Sequence, residues 1–165
     1  MRAPDRFMTP RLSARRIDGS DLQYVISVDT DPLMVPWLSG TTSSAAESEA
    51  RLQRWLDEER QTGLGFWIFF DGSEPVGHGG LFSSKRDPNH FELGYAILPA
   101  HWGRGYATEI AQAFLRMARE LQVAPVVAIT RVANERSRRV LEKCGLRFDR
   151  EFYADDTHCV RYALD

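Results

Sequence analysis

The sequence from His101 to Glu109, HWGRGYATE, is the feature that most constrains the fold of this chain. It follows an apolar segment, Leu93 to Leu98, and opens a long helical pattern, which predicts a turn between a strand and a helix. Two glycines and an alanine keep side chains out of this turn. Backbone N–H groups at a helix N-terminus are unpaired and lie at the positive end of the helix dipole. The turn therefore predicts an anion site that suits a diphosphate.

The turn has three other interpretations. The dinucleotide fingerprint requires a glycine where Thr108 stands and a parallel strand before it, so it fits poorly. The phosphate-loop pattern requires Gly-Lys-Ser/Thr, which the turn lacks. A tight strand-to-helix turn that binds nothing is the third interpretation, and the turn alone leaves it open.

The length of 165 residues predicts a single domain covering residues 1–165. A net charge of −2 gives no electrostatic reason to expect a nucleic-acid partner or an anionic membrane surface. No apolar stretch is long enough for a transmembrane helix or a signal core, so a cytoplasmic location is expected. The two cysteines and four dispersed histidines lack metal-ligand spacing, so no metal is expected.

Hydrophobic periodicity predicts an α/β fold in which helices flank a mixed, mostly antiparallel sheet. Strands are predicted at residues 12–17, 66–70, 76–82, 90–98, 126–130, 148–153 and 158–163. Helices are predicted after Ser20, from Ser44 to Thr62 with Gly63 as its C-cap, from Arg104 to Leu121, and from Asn134 to Gly145. The glycines within residues 76–82 indicate that another group packs close to that strand.

The chain resembles the GNAT family of N-acetyltransferases in four segments. The first is WGRGYAT, residues 102–108, which resembles the family's acetyl-CoA pyrophosphate loop. Gly105 and Ala107 fill its last two positions, whereas Trp102 replaces the usual Gln or Arg. The other three resemble the ribosomal-protein N-acetyltransferase (RimJ/RimL-type) branch: TPRL at 9–12, ELGYAI at 92–97 and NERSRRVLEKCGL at 134–146. The resemblance covers nearly the whole chain, in order.

The resemblance implies a GNAT fold, in which a V-shaped split separates strands 4 and 5 of the central sheet. Acetyl-CoA is the implied co-substrate, and no metal is implied. Amides of the turn would hold the pyrophosphate, with charge added by Arg104, and the end of strand 4 and Asn134 would bind the pantetheine arm. The implied cofactor-binding residues are Ile97, Leu98, Gly103, Arg104, Gly105, Tyr106, Ala107, Thr108 and Asn134. The alternatives without a role in binding are an Arg104 that is exposed to solvent and an Asn134 that only caps a helix.

Acetyl transfer to an amine sets the chemistry of the expected site. The amine attacks when neutral. An α-amine with a pKa of ~8 loses its proton more readily than a lysine with a pKa of ~10.4, so it depends less on a general base. Glu92 is predicted to accept the proton, directly or through a water, because a carboxylate in a half-buried strand is unusual without a reason; a different carboxylate or water alone is the alternative. By resemblance, Ser137 would hydrogen-bond the leaving sulfur, and the phenol of Tyr95 is an alternative acid. Each has an ordinary structural alternative: a solvated or arginine-paired carboxylate, a first-turn serine, or a packing aromatic. Neither cysteine stands where a nucleophile is needed, so direct attack in a ternary complex is expected.

The acceptor is expected to be a protein N-terminal α-amine, by resemblance to the branch. A small-molecule amine, such as an amino acid, a polyamine or an aminoglycoside, is the alternative, and a non-catalytic acyl-CoA-binding module is a further one. Met34, Trp37 and Phe82 are implied to line the acceptor site, although each is also a plausible core residue. The basic residues Arg136, Arg138 and Arg139 would lie near the adenosine end of the cofactor. Family habit makes a homodimer plausible.

Overall fold

The computed structural model describes residues 2–38 and 44–164, and an eight-stranded sheet forms its centre. The strands are β1 (Arg6–Met8), β2 (Ser13–Arg16), β3 (Gly65–Asp71), β4 (Glu74–Ser83), β5 (Phe91–Ile97), β6 (Val126–Arg131), β7 (Arg147–Ala154) and β8 (Thr157–Leu164). Their order is β1-β2-β3-β4-β5-β6-β8-β7. Every neighbouring pair is antiparallel except β5 and β6. The predicted mixed, mostly antiparallel sheet is therefore confirmed.

Four α-helices are described: α1 (Leu22–Asp29), α2 (Ala45–Thr62), α3 (Tyr106–Glu120) and α4 (Glu135–Lys143). The predicted capping box of α2 is present, since Ser44 accepts from the Glu47 N–H and Glu47 accepts from the Ser44 N–H. Gly63 ends that helix with φ 74°, a left-handed conformation that favours glycine. Within the described ranges, no helix is long and apolar enough to cross a membrane.

Some predicted boundaries are wrong. Asp18, rather than Ser20, accepts the capping bond, because a 3-10 turn at Gly19–Asp21 precedes α1. Helix α3 begins at Tyr106 instead of Arg104, because Gly105 takes a left-handed conformation with φ 79°. Strand β1 was not predicted, because three residues are too few to show a period.

The two faces of the sheet carry different helices. Trp67 and Phe69 of β3 pack with Ile110 and Phe114 of α3 in one buried cluster. The alternate residues of β3, Phe66 and Ile68, pack in a second cluster with Val25 of α1 and Leu52 of α2. Helix α4 contributes Leu141 to the first cluster. Helices α1 and α2 therefore cover one face, and α3 and α4 cover the other.

The glycines of β4 allow close packing on both faces, as the sequence predicted. A Cβ atom at Gly79 would lie 2.9 Å from the Phe114 ring of α3. A Cβ atom at Gly80 would lie 2.5 Å from the Gly65 carbonyl oxygen and 2.7 Å from the Phe66 ring. Side chains at these positions would therefore push away the neighbouring strand and helix.

The parallel strands β5 and β6 pair only at their beginnings. Their register holds two residue pairs, Phe91 with Val126 and Glu92 with Val127, after which the strands separate. The predicted split between strands 4 and 5 is confirmed here. Those strands are β5 and β6 of the structure, because the additional strand β1 raises each number by one. The Phe91 N–H points to the β6 side, where it donates to the Pro125 carbonyl. Backbone N–H and C=O groups of every second residue of a strand point to the same neighbouring strand. Tyr95 and Ile97 lie four and six residues after Phe91, so their backbone groups also point to the β6 side, into the open part of the split.

Candidate active site

The turn between β5 and α3 presents free backbone amides at the edge of the split. Gly103 and Gly105 have φ 78° and 79°, a region that costs other residues about 1–2 kcal/mol. Helix α3 has no side-chain cap at its N-terminus. Among residues 2–38 and 44–164, no protein oxygen accepts a bond from the amides of residues 103–108. These donors are available to an anion.

A buried carboxylate, Glu109, fixes this turn to the start of the sheet. It accepts hydrogen bonds from the Thr9 hydroxyl, from the Arg11 backbone N–H at 2.7 Å and from Arg11 Nε at 2.7 Å. Arg11 Nη1 also donates to the Arg104 carbonyl at 2.8 Å. Burial raises the pKa of Glu109, but the bonds from Thr9 and Arg11 outweigh it and leave the pKa below its usual value. Glu109 is therefore an anion that positions the first turn of α3.

The side chain of Tyr106 points away from the turn's free amides. Its hydroxyl donates to Asp71 Oδ2 at 2.6 Å, and the Arg11 guanidinium lies over its ring, 4.7 Å from the centroid. The bond to Asp71, aided by burial, raises the pKa of this phenol. Tyr106 can therefore contribute only its backbone N–H to an anion at the turn.

Trp102, which departs from the family pattern, ties the turn to the end of β5. Its indole N–H donates to the Ile97 carbonyl at 2.7 Å. The Leu98 N–H donates to the Val76 carbonyl at 2.9 Å, so that donor is already used within the sheet. The free backbone donor at this end of β5 is consequently Ile97 N–H rather than Leu98 N–H. The Arg136 guanidinium lies over the Trp102 ring at 5.6 Å.

The other two arginines of the basic run on α4 have partners away from the turn. Arg138 donates to the Tyr162 hydroxyl and to the Val132 carbonyl. Arg139 pairs with Glu135 one helical turn earlier. Of the run, Arg136 alone contacts a residue of the glycine turn within the described chain.

Two hydroxyls meet across the split. The Tyr95 phenol oxygen lies 3.0 Å from Ser137 Oγ, so β5 and the first turn of α4 are joined at this point. Burial raises the pKa of Tyr95 strongly, with the bond to Ser137 acting against it, and the phenol stays protonated near neutral pH. Asn134 caps α4 by accepting the Ser137 N–H at 3.1 Å. This uses the Asn134 carbonyl oxygen and leaves its NH₂ group for another acceptor.

Glu92 lies on the opposite face of β5 from Tyr95. It is half-buried, and its Oε1 accepts the Ser84 hydroxyl at 2.6 Å. It stands beside Val127 at the last residue pair before the split. The carboxylate is therefore held at the point where β5 and β6 separate.

The residues predicted to line an acceptor site are spread along the α1/α2 face. Met34 is buried in a small cluster with Val28 and Leu38. Phe82 stacks on Phe66 at 5.0 Å, whereas Trp37 is 44% exposed. Their contact with an acceptor remains a prediction.

His78 on the same face is a buried residue that the sequence did not single out. Its Nδ1 lies 3.1 Å from the Tyr24 hydroxyl. Burial lowers the pKa of His78 to about 4, with a smaller contribution from Arg51, so the ring is neutral near pH 7.

The roles of Thr9, Arg11 and Glu109 were also missed. Two signals in the sequence point to them: the TPRL segment resembles the family's opening, and Glu109 follows the glycine turn. Their contact joins positions 98 to 100 residues apart, which no local pattern specifies.

Comparisons with known proteins give the family of this chain and others that share its fold. The acetyltransferase (GNAT) domain model matches residues 11–147. The FsC-acetyl coenzyme A-N(2)-transacetylase of Aspergillus fumigatus is 27% identical over 163 residues, which covers 93% of this chain and 69% of that protein. An acetyltransferase from Agrobacterium tumefaciens has a similar structure, with a TM-score of 0.85, 22% identity and coverage of 99% and 95% of the two chains. The ribosomal α-N-protein acetyltransferase RimL, in complex with coenzyme A, gives a TM-score of 0.78, 18% identity and 94% coverage of both chains.

Proposed function

The chain belongs to the GNAT acetyltransferase family, and we propose that it moves the acetyl group of acetyl-CoA onto a primary amine by direct attack in a ternary complex. Acetyl-CoA is the donor that this family uses. The observation that carries the proposal is the split between β5 and β6, with free amides of residues 103–108 at its edge. A thioester has a path into the sheet there, and a diphosphate has donors beside it.

The residues at the split fit coenzyme A. The amides of residues 103–108 would hold the pyrophosphate, because they have no acceptor of their own in the described protein. The Ile97 N–H and the Asn134 NH₂ group would bind the amides of the pantetheine arm. When bound, the coenzyme supplies the activated acetyl group, and the protein orients it.

Glu92 and the Tyr95–Ser137 pair support the two proton tasks of the reaction. Glu92 would accept the proton of the attacking amine, directly or through a water. The pKa of Tyr95 is raised above 10, whereas a thiol has a pKa of ~8.5, so proton transfer from the phenol to the leaving thiolate is unfavourable. Tyr95 and Ser137 would therefore stabilise the departing sulfur as hydrogen-bond donors.

The acceptor that we propose is an α-amine, because its pKa of ~8 leaves a useful neutral fraction at pH 7. Resemblance to the RimJ/RimL-type branch favours the N-terminus of a protein. A small-molecule amine is the second candidate, because the name of the Aspergillus relative, FsC-acetyl coenzyme A-N(2)-transacetylase, gives an N(2) nitrogen and not a protein N-terminus as the acetylated group. A fold-level likeness does not choose between the two.

The test is release of free coenzyme A when the protein is incubated with acetyl-CoA and a panel of amines. Glu92→Gln is expected to lower kcat by 10²- to 10⁴-fold on the best acceptor, with the Kd for coenzyme A unchanged. Glu58→Gln is the matched control, because Glu58 also accepts a serine hydroxyl, that of Ser83, but lies on α2 away from the split. Tight coenzyme A binding without turnover of any amine would instead identify a non-catalytic binding module.

A further inference from the structure

A cavity of about 210 Å³ lies on the same face of the sheet as Glu92. The residues of its wall that matter here are Ser84, Arg86, Asp87, Val127, Arg150 and Arg161. Ser84 is the residue whose hydroxyl donates to Glu92, and Val127 is the residue paired with Glu92 in the sheet. The cavity therefore begins beside the carboxylate proposed to accept the amine proton.

Arg161 is a buried cation in this wall. It lies in β8 and is 7% exposed, and its Nε is a buried donor with no hydrogen-bond acceptor within the described chain. Its Nε is 3.2 Å from Asp149 Oδ2 and its Nη1 is 3.7 Å from Asp87 Oδ2, but neither contact forms a hydrogen bond. Burying a donor without a hydrogen bond is costly, and the guanidinium keeps N–H groups that a ligand in the cavity can use.

The two carboxylates near Arg161 also contact other side chains. Asp87 Oδ2 lies 2.6 Å from His90 Nδ1, and Asp149 Oδ2 lies 3.5 Å from Arg150 Nη1. The Arg86 guanidinium lies over the Phe152 ring, 5.2 Å from its centroid, and forms no ion pair with a carboxylate of residues 2–38 or 44–164. Among the residues that line the cavity, three are arginines (Arg86, Arg150 and Arg161) and one is a carboxylate, Asp87, so the lining itself carries an excess of positive charge.

We propose that the acceptor amine carries a carboxylate, which Arg161 binds in this cavity while the amine faces Glu92. This inference rests on the proposed function. The planar guanidinium matches a carboxylate with two parallel hydrogen bonds, and Arg86 and Arg150 add attraction beside it. The carboxylate can belong to a free amino acid or to an acidic residue at the start of a polypeptide, and the cavity recognises the chemistry that the two share.

The test compares acceptors that differ only in the carboxylate. One pair is alanine and alaninamide, and the other is a short peptide amide that begins with Asp or with Asn. The kcat/KM of each is measured by coenzyme A release and expressed per concentration of neutral amine. We expect the wild type to prefer the carboxylate member of at least one pair by about tenfold to a hundredfold. Preference within the first pair indicates a free amino acid, and preference within the second indicates an acidic N-terminus.

The variant Arg161→Gln should bring this ratio close to one, mainly through KM. Arg138→Gln should keep it, because Arg138 bonds Tyr162 on the other face of the sheet. A ratio measured within one variant cancels a general loss of folded enzyme, and Arg161→Lys should restore part of the preference. Equal use of both members by the wild type, or an unchanged ratio in Arg161→Gln, overturns the inference alone. Failure to acetylate any amine overturns the proposed function and the inference with it.

Discussion

Replacement of Ala107 by Glu tests whether the amides at the start of α3 bind the diphosphate of coenzyme A. Ala107 is the second residue of α3 and is half-buried. A carboxylate there would lie close to the proposed anion, and it would also lie at the positive end of the helix dipole. The change is therefore expected to act in opposite directions on ligand binding and on folding.

The size of each effect follows from the geometry. Two unit charges about 6 Å apart interact by about 3 kcal/mol at an effective dielectric constant near 20, which weakens binding about a hundredfold. The same carboxylate in the first turn of a helix stabilises it by about 0.3–1 kcal/mol. We expect Ala107→Glu to raise the Kd for coenzyme A about a hundredfold at low salt while the Tm of the free protein stays level or rises.

Isothermal titration with coenzyme A and thermal unfolding of the free protein measure the two effects. Ala107→Gln is the matched control, since it adds the same bulk without the charge: its loss of affinity measures the steric effect, and it should bind coenzyme A more tightly than Ala107→Glu. Added salt should narrow the gap between the two variants. If Ala107→Glu binds coenzyme A as tightly as the wild type, or if Ala107→Gln loses as much affinity, the electrostatic reasoning is refuted.

Three further predictions concern the split, the buried carboxylate and the buried histidine. Tyr95→Phe should lower kcat about tenfold with an unchanged Kd for coenzyme A, and a change confined to Kd would contradict a role at the leaving sulfur. Glu109→Ala should lower the free energy of unfolding by about 2–4 kcal/mol in urea, because Arg11 and its neighbours lose a buried acceptor; a loss under 0.5 kcal/mol would contradict this. Folding lowers the pKa of His78 from 6.5 to about 4, so between these pH values the unfolded chain binds a proton on this ring and the folded protein does not. The contribution of His78 to the free energy of unfolding is therefore complete above pH 6.5 and is lost as the pH falls towards 4. His78→Gln should remove about 3 kcal/mol of this acid sensitivity, and equal slopes of stability against pH would refute the assignment.

Features set by adjacent residues were predicted well from the sequence. The capping box at Ser44 and Glu47, the end of α2 at Gly63 and the turn before α3 depend on residues a few positions apart. The crossover through α3 followed from the order of elements. The split was predicted only through resemblance to a family, because nothing in β5 or β6 alone tells where the strands stop pairing.

Features made by distant residues could not be predicted in the same way. The contact of Arg11 with Glu109 spans 98 residues. In the sequence, Arg161 is indistinguishable from an exposed arginine of a strand with alternating polarity. It is buried in the folded protein because β7 and the residues around Asp87 pack against it. Burial of a charge is a property of the packed molecule, so periodicity along one strand does not reveal it.

The short pairing of β5 with β6 leaves few backbone hydrogen bonds between the two halves of the sheet. Strands β1–β5 form one panel, β6–β8 form the other, and two residue pairs join them along this seam. A ligand whose own amide groups lie between the panels supplies the missing rungs of the ladder. A donor bound as proposed would therefore stiffen the molecule along this seam, and departure of the product would loosen it again.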